Sequence, residues 1–145
     1  MILDDKIMKY VLFKKRTENE VRKKCKILKY EDENIEEIIR YLKENGYIND
    51  EIYIDKYIKN IMKLKNCSIN EIKIDLMRRG VDEDLIEKYI TPELEEFEEK
   101  SAKILASKKL KANEKEKVKK YLLNKGFSYS NVSKAIDNYD DLDDN

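Results

Sequence analysis

The sequence predicts an all-α protein built from three tandem three-helix (helix-turn-helix-like) repeats that form an elongated, curved molecule. Its composition favours helix, because the 145 residues include one proline and three glycines, with 43% charged and 41% hydrophobic residues. Apolar residues recur at helical spacing along most of the chain. A helix, a very short turn and a second helix occur three times, and such repetition is typical of helical-repeat proteins.

Residues 1–46 are predicted to form the first repeat. Apolar residues within 5–15 indicate its first helix, and Thr17 with Glu20 forms a capping box that opens the second. The third helix is indicated by apolar residues at i, i+3, i+4 and i+7, namely Ile35, Ile38, Ile39 and Leu42. Gly46 ends this helix and the repeat.

Residues 47–91 are predicted to form the second repeat. Its helix boundaries are marked by polar caps and a glycine: Asn49 or Asp50 at the first helix, a second capping box of Ser68 and Glu71 at the next, Gly80 at the end of that helix, and Asp82 at the third. Apolar residues follow helical spacing between these signals, so three helices are expected here as well.

Residues 92–139 are predicted to form the third repeat, which Pro92 opens at the first position of a helix. Asn113 is expected to cap the second helix of this repeat, and Gly126 lies in the turn before the last helix. Residues 140–145 are strongly acidic and are predicted to be an unstructured tail.

The three turns align on an apolar residue that follows each of them: Tyr30, Val81 and Phe127. Apolar residues also occupy three other matching positions in each repeat. Nine residues before the aligned residues lie Val21, Ile72 and Val118, five residues before them lie Cys25, Leu76 and Leu122, and five residues after them lie Ile35, Ile86 and Val132. One small unit buries little apolar surface alone, so neighbouring repeats are expected to stack.

Positive and negative charges cancel over the whole chain but are unevenly distributed. Residues 14–29 contain eight basic residues against two acidic ones, and residues 100–125 contain ten against two, whereas the third helices of the first two repeats start with acidic residues. Arg22, Lys73 and Lys119 share one repeat position, beside a core residue and directed away from it. Two interpretations stay open: favourable charge at helix ends, or a basic stripe along one face that suits phosphates or an acidic protein surface.

The sequence carries no sign of an enzyme, a cofactor or a metal site. Histidine is absent, and no Walker loop, HExxH motif, cysteine cluster or glycine-rich nucleotide turn is present. Cys25 falls at a core position, while Cys67 precedes a helix cap and is expected to be exposed. No signal peptide or long apolar run is seen, so a cytoplasmic protein without membrane contact is expected. The protein is also expected to be a monomer.

Four segments together resemble the RecX family of recombination regulators: Lys15–Val21, Gly46–Tyr53, Ile72–Val81 and Tyr121–Ser128. The likeness covers roughly residues 8–139. Lys29 departs from the family pattern, because it stands where the first unit usually has glycine, and Ser68–Ile69 stands where Gly-Pro is frequent.

The resemblance implies a non-catalytic modulator of the RecA recombinase. Such proteins lie in the groove of the RecA–DNA filament and restrain its growth, ATP hydrolysis and strand exchange, in recombination, DNA repair and the SOS response. Weak contact with single- or double-stranded DNA, without sequence specificity, is a further expectation. The candidate contact residues for filament or DNA are basic: Lys14, Lys15, Arg16, Arg22, Lys26, Lys73, Arg78, Arg79, Lys119, Lys120 and Lys125.

Two other function classes fit the same residues. A stand-alone nucleic-acid-binding helical protein would use the basic segments and would bind bare DNA with a steep salt dependence. A helical-repeat interaction scaffold would instead bind some other protein. The acidic starts of the third helices in the first two repeats argue against sequence-specific reading of duplex DNA, because a recognition helix enters the major groove and should be basic or neutral.

Overall fold

The computed structural model describes residues 3–143, with side chains described up to residue 137. This part of the chain is helical and contains no strand. Nine helices follow one another within the described residues: α1 Asp5–Phe13, α2 Glu18–Ile27, α3 Asp32–Glu44, α4 Asp50–Leu64, α5 Ile69–Arg78, α6 Glu83–Glu87, α7 Pro92–Leu110, α8 Lys115–Asn124 and α9 Tyr129–Asp143.

The buried apolar side chains form three clusters in chain order, and each cluster is built mainly by three consecutive helices. We call α1–α3, α4–α6 and α7–α9 the first, second and third triplets. The second cluster also takes in Leu94 of α7, so this helix packs on two triplets. The residue boundaries of the repeats and the elongated, curved shape stay predictions.

The aligned apolar positions form the cores of the triplets. All of them are buried except Tyr30, which is partly exposed. Cys25 lies in the first cluster, as its repeat position predicts. The expected exposure of Cys67 is wrong: its side chain is 0% exposed, because it belongs to the second cluster, which also holds apolar residues of α4, α5, α6 and α7.

The predicted caps show how far local sequence determines the helix starts. Thr17 and Glu20 form the complete capping box, with Glu20 N donating to Thr17 Oγ1 at 3.1 Å and Thr17 N donating to Glu20 Oε1 at 3.0 Å. Ser68 accepts a bond from Glu71 N at 3.0 Å, but the return bond of the predicted box is missing. Oε1 of Glu71 is buried without a hydrogen-bond partner, and it lies 3.9 Å from Lys125 Nζ of the third triplet. Asn49, rather than Asp50, caps α4.

Two expectations for the third triplet are wrong. Asn113 does not cap α8, because its side-chain amide donates to Lys109 O at 3.0 Å and Glu114 occupies the N-cap position without a side-chain bond. The tail expectation fails for residues 140–143, since α9 continues to Asp143 and no glycine or proline interrupts residues 129–143. Residues 144–145 lie outside the described residues.

The first and second triplets meet at the start of α2. The hydroxyl of Thr17, which caps its own helix, donates to Arg79 O at the end of α5 over 2.7 Å. The next amide, Glu18 N, donates to Asp50 Oδ1 at the start of α4 over 2.9 Å. We call this pair of hydrogen bonds the first junction.

The second and third triplets meet through the same pair of bonds, which we call the second junction. Ser68 Oγ donates to Lys125 O over 2.7 Å, and Ile69 N donates to Glu98 Oε1 over 3.1 Å. The carboxylate of Glu98 is 6% exposed and also accepts a 2.6 Å bond from Asn131 Nδ2. The hydroxyls of Thr17 and Ser68 are both completely buried, so water cannot replace these contacts.

Each junction also requires a glycine. Gly80 has a φ of +83°, and a Cβ atom there would lie 2.3 Å from Asn19 Cβ, while a Cβ at Gly126 would lie 2.8 Å from Asn70 Cβ. In the first triplet the corresponding residue is Lys29, with a φ of +65° and an exposed side chain. Lysine is tolerated there because its side chain extends into solvent.

Candidate interaction surface

An open cleft of about 480 Å³ lies beside the first junction. Its walls come from the segment between α1 and α2, from one face of α4, and from the end of α5. The lining residues are mostly basic, with two tyrosines and one amide: Lys14, Lys15, Tyr53, Lys56, Tyr57, Lys59, Asn60, Lys63 and Arg79. We call this feature the junction cleft.

Arg79 contacts both tyrosines that line the junction cleft. Its Nη1 donates to the hydroxyl of Tyr53 at 2.5 Å, its Nη2 lies 3.2 Å from Asp75 Oδ2, and its guanidinium carbon is 4.9 Å from the ring centroid of Tyr57. The hydroxyl of Tyr57 donates to Asp75. Burial and this carboxylate raise the pKa of Tyr57, so the phenol stays neutral and keeps its donor role.

Four of the five lysines of the junction cleft carry uncompensated charge. Lys56, Lys59 and Lys63 share one face of α4 through i, i+3 and i+7 spacing, and Lys59 is paired with Asp55 at 2.9 Å. The other lysines of the cleft form no ion pair with a carboxylate of the described residues. The cleft is therefore a site of positive potential.

Three of the residues proposed from the sequence, Lys14, Lys15 and Arg79, meet in the junction cleft. Sequence reasoning missed the lysines of α4, because that helix was interpreted through its apolar stripe. Their spacing of three and four residues is the signal that identifies a second, basic face on the same helix.

Arg16 lies on a neighbouring surface lined by Lys6, Lys9, Tyr10, Phe13 and Lys24. Its guanidinium lies 3.9 Å from the ring centroid of Tyr10, and its Nε donates to Tyr10 O at 3.0 Å. The ring of Phe13 is 81% exposed and 6.0 Å from the guanidinium. The arrangement combines cations with an exposed aromatic face.

The shared basic position has internal partners in all three triplets. Arg22 pairs bidentately with Glu36, and Lys73 Nζ lies 2.5 Å from Glu87 Oε1, so each contacts the third helix of its own triplet. Lys119 instead lies 3.3 Å from the hydroxyl of Tyr129. The pair with Glu36 raises the pKa of Arg22, and the pKa of Glu36 is lowered in turn.

The remaining proposed residues are dispersed. Lys26, Arg78 and Lys120 are exposed. Lys125 has its carbonyl in the second junction, and its ammonium is 5.5 Å from the ring centroid of Tyr121. The described part of the chain contains no group of three or more metal-ligating side chains and no helix long and apolar enough to cross a membrane.

Both thiols are expected to be unreactive while the protein is folded. Cys25 and Cys67 are 0% exposed, and burial raises the pKa of Cys67 to about 11 and also raises that of Cys25. A higher pKa leaves less thiolate at neutral pH, so modification by a thiol reagent should be more than about 100-fold slower than in urea. Mass spectrometry of the labelled protein measures this ratio, and fast labelling of Cys67 alone would show that the second junction opens by itself.

Comparisons with known proteins give a consistent result. No protein-family model matches the chain. The chain is 34% identical over 130 residues to the "Regulatory protein RecX" of Clostridium botulinum (strain Eklund 17B / Type B), a match that covers 83% of this chain and 60% of that protein. It is 37% identical over 123 residues to the protein of that name from Clostridium perfringens (strain SM101 / Type A), covering 79% and 57%. The chain thus spans about 60% of the length of these curated relatives.

Solved structures with the same fold carry the same name. A crystal structure of RecX from Lactobacillus salivarius matches with a TM-score of 0.85 and 26% identity, over 94% of this chain and 93% of that one. A second crystal structure, of "regulatory protein RecX", matches with a TM-score of 0.81 and 25% identity, over 91% and 70%. Sequence and fold agree along most of the chain, which therefore belongs to the RecX family of regulatory proteins.

Proposed function

We propose that this protein is a non-catalytic modulator of the RecA recombinase, which binds the RecA–DNA filament and restrains its growth, ATP hydrolysis and strand exchange. Membership of the RecX family carries this proposal. Regulation by binding also fits the described surface, which offers an open, positively charged cleft. The proposed setting is the cytoplasm, where the protein acts as a monomer.

The junction cleft is the part of the surface that we assign to the filament. It is formed by two triplets, so a bound partner contacts both at once. Its lysines complement acidic protein surface and DNA phosphates alike, and such complementarity increases association rates and selects the partner. The contact with DNA is proposed to be weak and independent of sequence, because lysines bind phosphates as point charges rather than reading base edges.

Wild-type protein, added in stoichiometric amounts, should reduce the DNA-dependent ATPase and strand exchange of RecA several-fold. The double variant Lys14→Glu with Lys15→Glu should need roughly tenfold more protein for the same effect, because it reverses two exposed charges of the cleft. Both reactions are followed against protein concentration, with folding checked by circular dichroism.

The matched control is Lys108→Glu with Lys111→Glu, which reverses two exposed charges of the third triplet outside the junction cleft. It should act like the wild type. If neither the wild type nor the control variant affects RecA, while the wild type binds bare DNA with a steep salt dependence, the stand-alone nucleic-acid-binding function replaces the proposal. If both the RecA and DNA assays are negative, the interaction-scaffold function replaces it.

A further inference from the structure

We propose that the junction cleft is a binding site for a chain of phosphate groups, and that an occupied cleft fixes the first and second triplets in one relative orientation. The inference concerns the chemistry of this cleft and its coupling to the first junction. It does not depend on RecA, so it can be tested with this protein alone.

The cleft is chemically suited to several phosphates at once. It presents five ammonium groups, one guanidinium and the amide of Asn60 within about 480 Å³, a volume within the usual range for small-ligand sites. Asp75 and Asp55 are occupied by Arg79 and Lys59. Lys14, Lys15, Lys56 and Lys63 therefore repel one another, and a polyanion relieves that repulsion.

Phosphate fits this donor set better than a carboxylate does. Ammonium groups donate three hydrogen bonds each, and every terminal phosphate group offers three acceptor oxygens, whereas a carboxylate offers two. The five ammonium groups and the guanidinium of the cleft offer more donors than the oxygens of one phosphate can accept, so a single phosphate leaves most of them unused. A chain of phosphates is the ligand that contacts both walls.

The two walls of the cleft belong to different triplets, and the first junction lies directly behind them. Lys14 and Lys15 lead into Thr17, whose hydroxyl bonds to Arg79 O, while the guanidinium of Arg79 lines the cleft. A ligand that holds Lys15 against α4 therefore opposes separation of Thr17 from Arg79. The second junction uses the same pair of bonds, but none of its residues lines the cleft.

Binding is measured by calorimetry at low ionic strength with inorganic tripolyphosphate. The wild type should bind saturably with one site, and Lys56→Ser with Lys63→Ser should weaken the affinity by at least about tenfold, because it removes two unpaired ammonium groups. The control Lys108→Ser with Lys111→Ser, which removes two exposed lysines outside the cleft, should retain the affinity of the wild type. Equal weakening by both variants would overturn the proposed site.

Coupling to the junction is measured by amide hydrogen exchange, because each junction has its own reporter amides. Tripolyphosphate should slow exchange of Glu18 N and Glu20 N, which bond to Asp50 and Thr17, by about fivefold or more. Ile69 N and Glu71 N at the second junction should not change. No change at either junction, or the same change at both, would overturn the proposed coupling.

Two further ligands identify the source of the phosphate groups. The first is a short oligothymidylate. If it competes with tripolyphosphate in the wild type and binds the Lys56→Ser, Lys63→Ser variant more weakly, a nucleic-acid strand is a source of the phosphate groups. If it does not compete, free polyphosphates are the source and the proposed site stands. Oligoglutamate should bind at least tenfold more weakly than tripolyphosphate. Equal binding of oligoglutamate would overturn the preference for phosphate and favour an acidic peptide.

Discussion

Gly80→Ala is expected to lower the free energy of unfolding by about 3 kcal/mol, since it combines a strained backbone with a steric clash. The φ of +83° disfavours any residue with a Cβ atom, and the new Cβ would lie 2.3 Å from Asn19 Cβ at the first junction. Either the alanine distorts the turn or α2 moves away from α5. Urea unfolding followed by circular dichroism measures the loss.

Gly46→Ala is the matched control for the backbone effect. Gly46 has a φ of +74°, but no atom lies within 4 Å of the position of a Cβ there, so the expected loss is only about 1 kcal/mol. A double-mutant cycle of Gly80→Ala with Asn19→Gly should show a favourable coupling of at least about 1 kcal/mol, because the second change removes the clashing side chain. Equal losses at Gly80 and Gly46 would show that the close approach to Asn19 is not part of the native structure.

The helical class and the main caps could be predicted because their causes are local. Thr17 and Glu20 are three residues apart, and their reciprocal bonds need no contribution from the rest of the chain. The positions aligned on the turns are buried because helical periodicity places them on one face of each helix. Where tertiary packing decides, the local prediction fails, as with Cys67, which is buried in the second cluster together with Leu94 of α7.

The junction cleft could not be predicted in full, because it joins residues that are far apart in sequence. Lys14 and Lys15 meet the lysines of α4 about 40 residues later, and only the packing of one triplet on the next brings them together. Charge counts along the chain suggested basic segments at 14–29 and 100–125 but gave little weight to α4. The sequence also did not show that Arg22 and Lys73 form ion pairs with carboxylates of their own triplets.

The two junctions explain why the turns at residues 80 and 126 keep glycine while the corresponding turn at residue 29 does not. Gly80 and Gly126 each lie against an asparagine of the preceding triplet, so a side chain is excluded for steric reasons. Lys29 adopts the same left-handed backbone conformation but has no such contact. Lysine in place of the family's glycine therefore adds backbone strain but no steric clash. Glycine avoids backbone strain in each of these turns, but only the contact with the neighbouring triplet excludes a side chain.

Thr17→Val is expected to lower the free energy of unfolding by about 2–3 kcal/mol, although valine has nearly the same shape. The hydroxyl of Thr17 is 0% exposed, accepts from Glu20 N and donates to Arg79 O, so its loss leaves a buried donor and a buried acceptor unpaired. Thr17→Ser keeps both bonds and should cost less than about 1 kcal/mol. Urea unfolding of the two variants separates the hydrogen bonds from the packing of the methyl group.

The effect of Thr17→Val should also extend to the junction cleft. Without the bond to Arg79 O, the first triplet is held less firmly against the second, so tripolyphosphate must supply part of the ordering that the hydroxyl provided. Its affinity should therefore fall about three- to tenfold, while Ser68→Ala, which breaks the corresponding bond at the second junction, should leave it unchanged. If Thr17→Val and the wild type bind tripolyphosphate with equal affinity, binding in the junction cleft does not depend on the first junction.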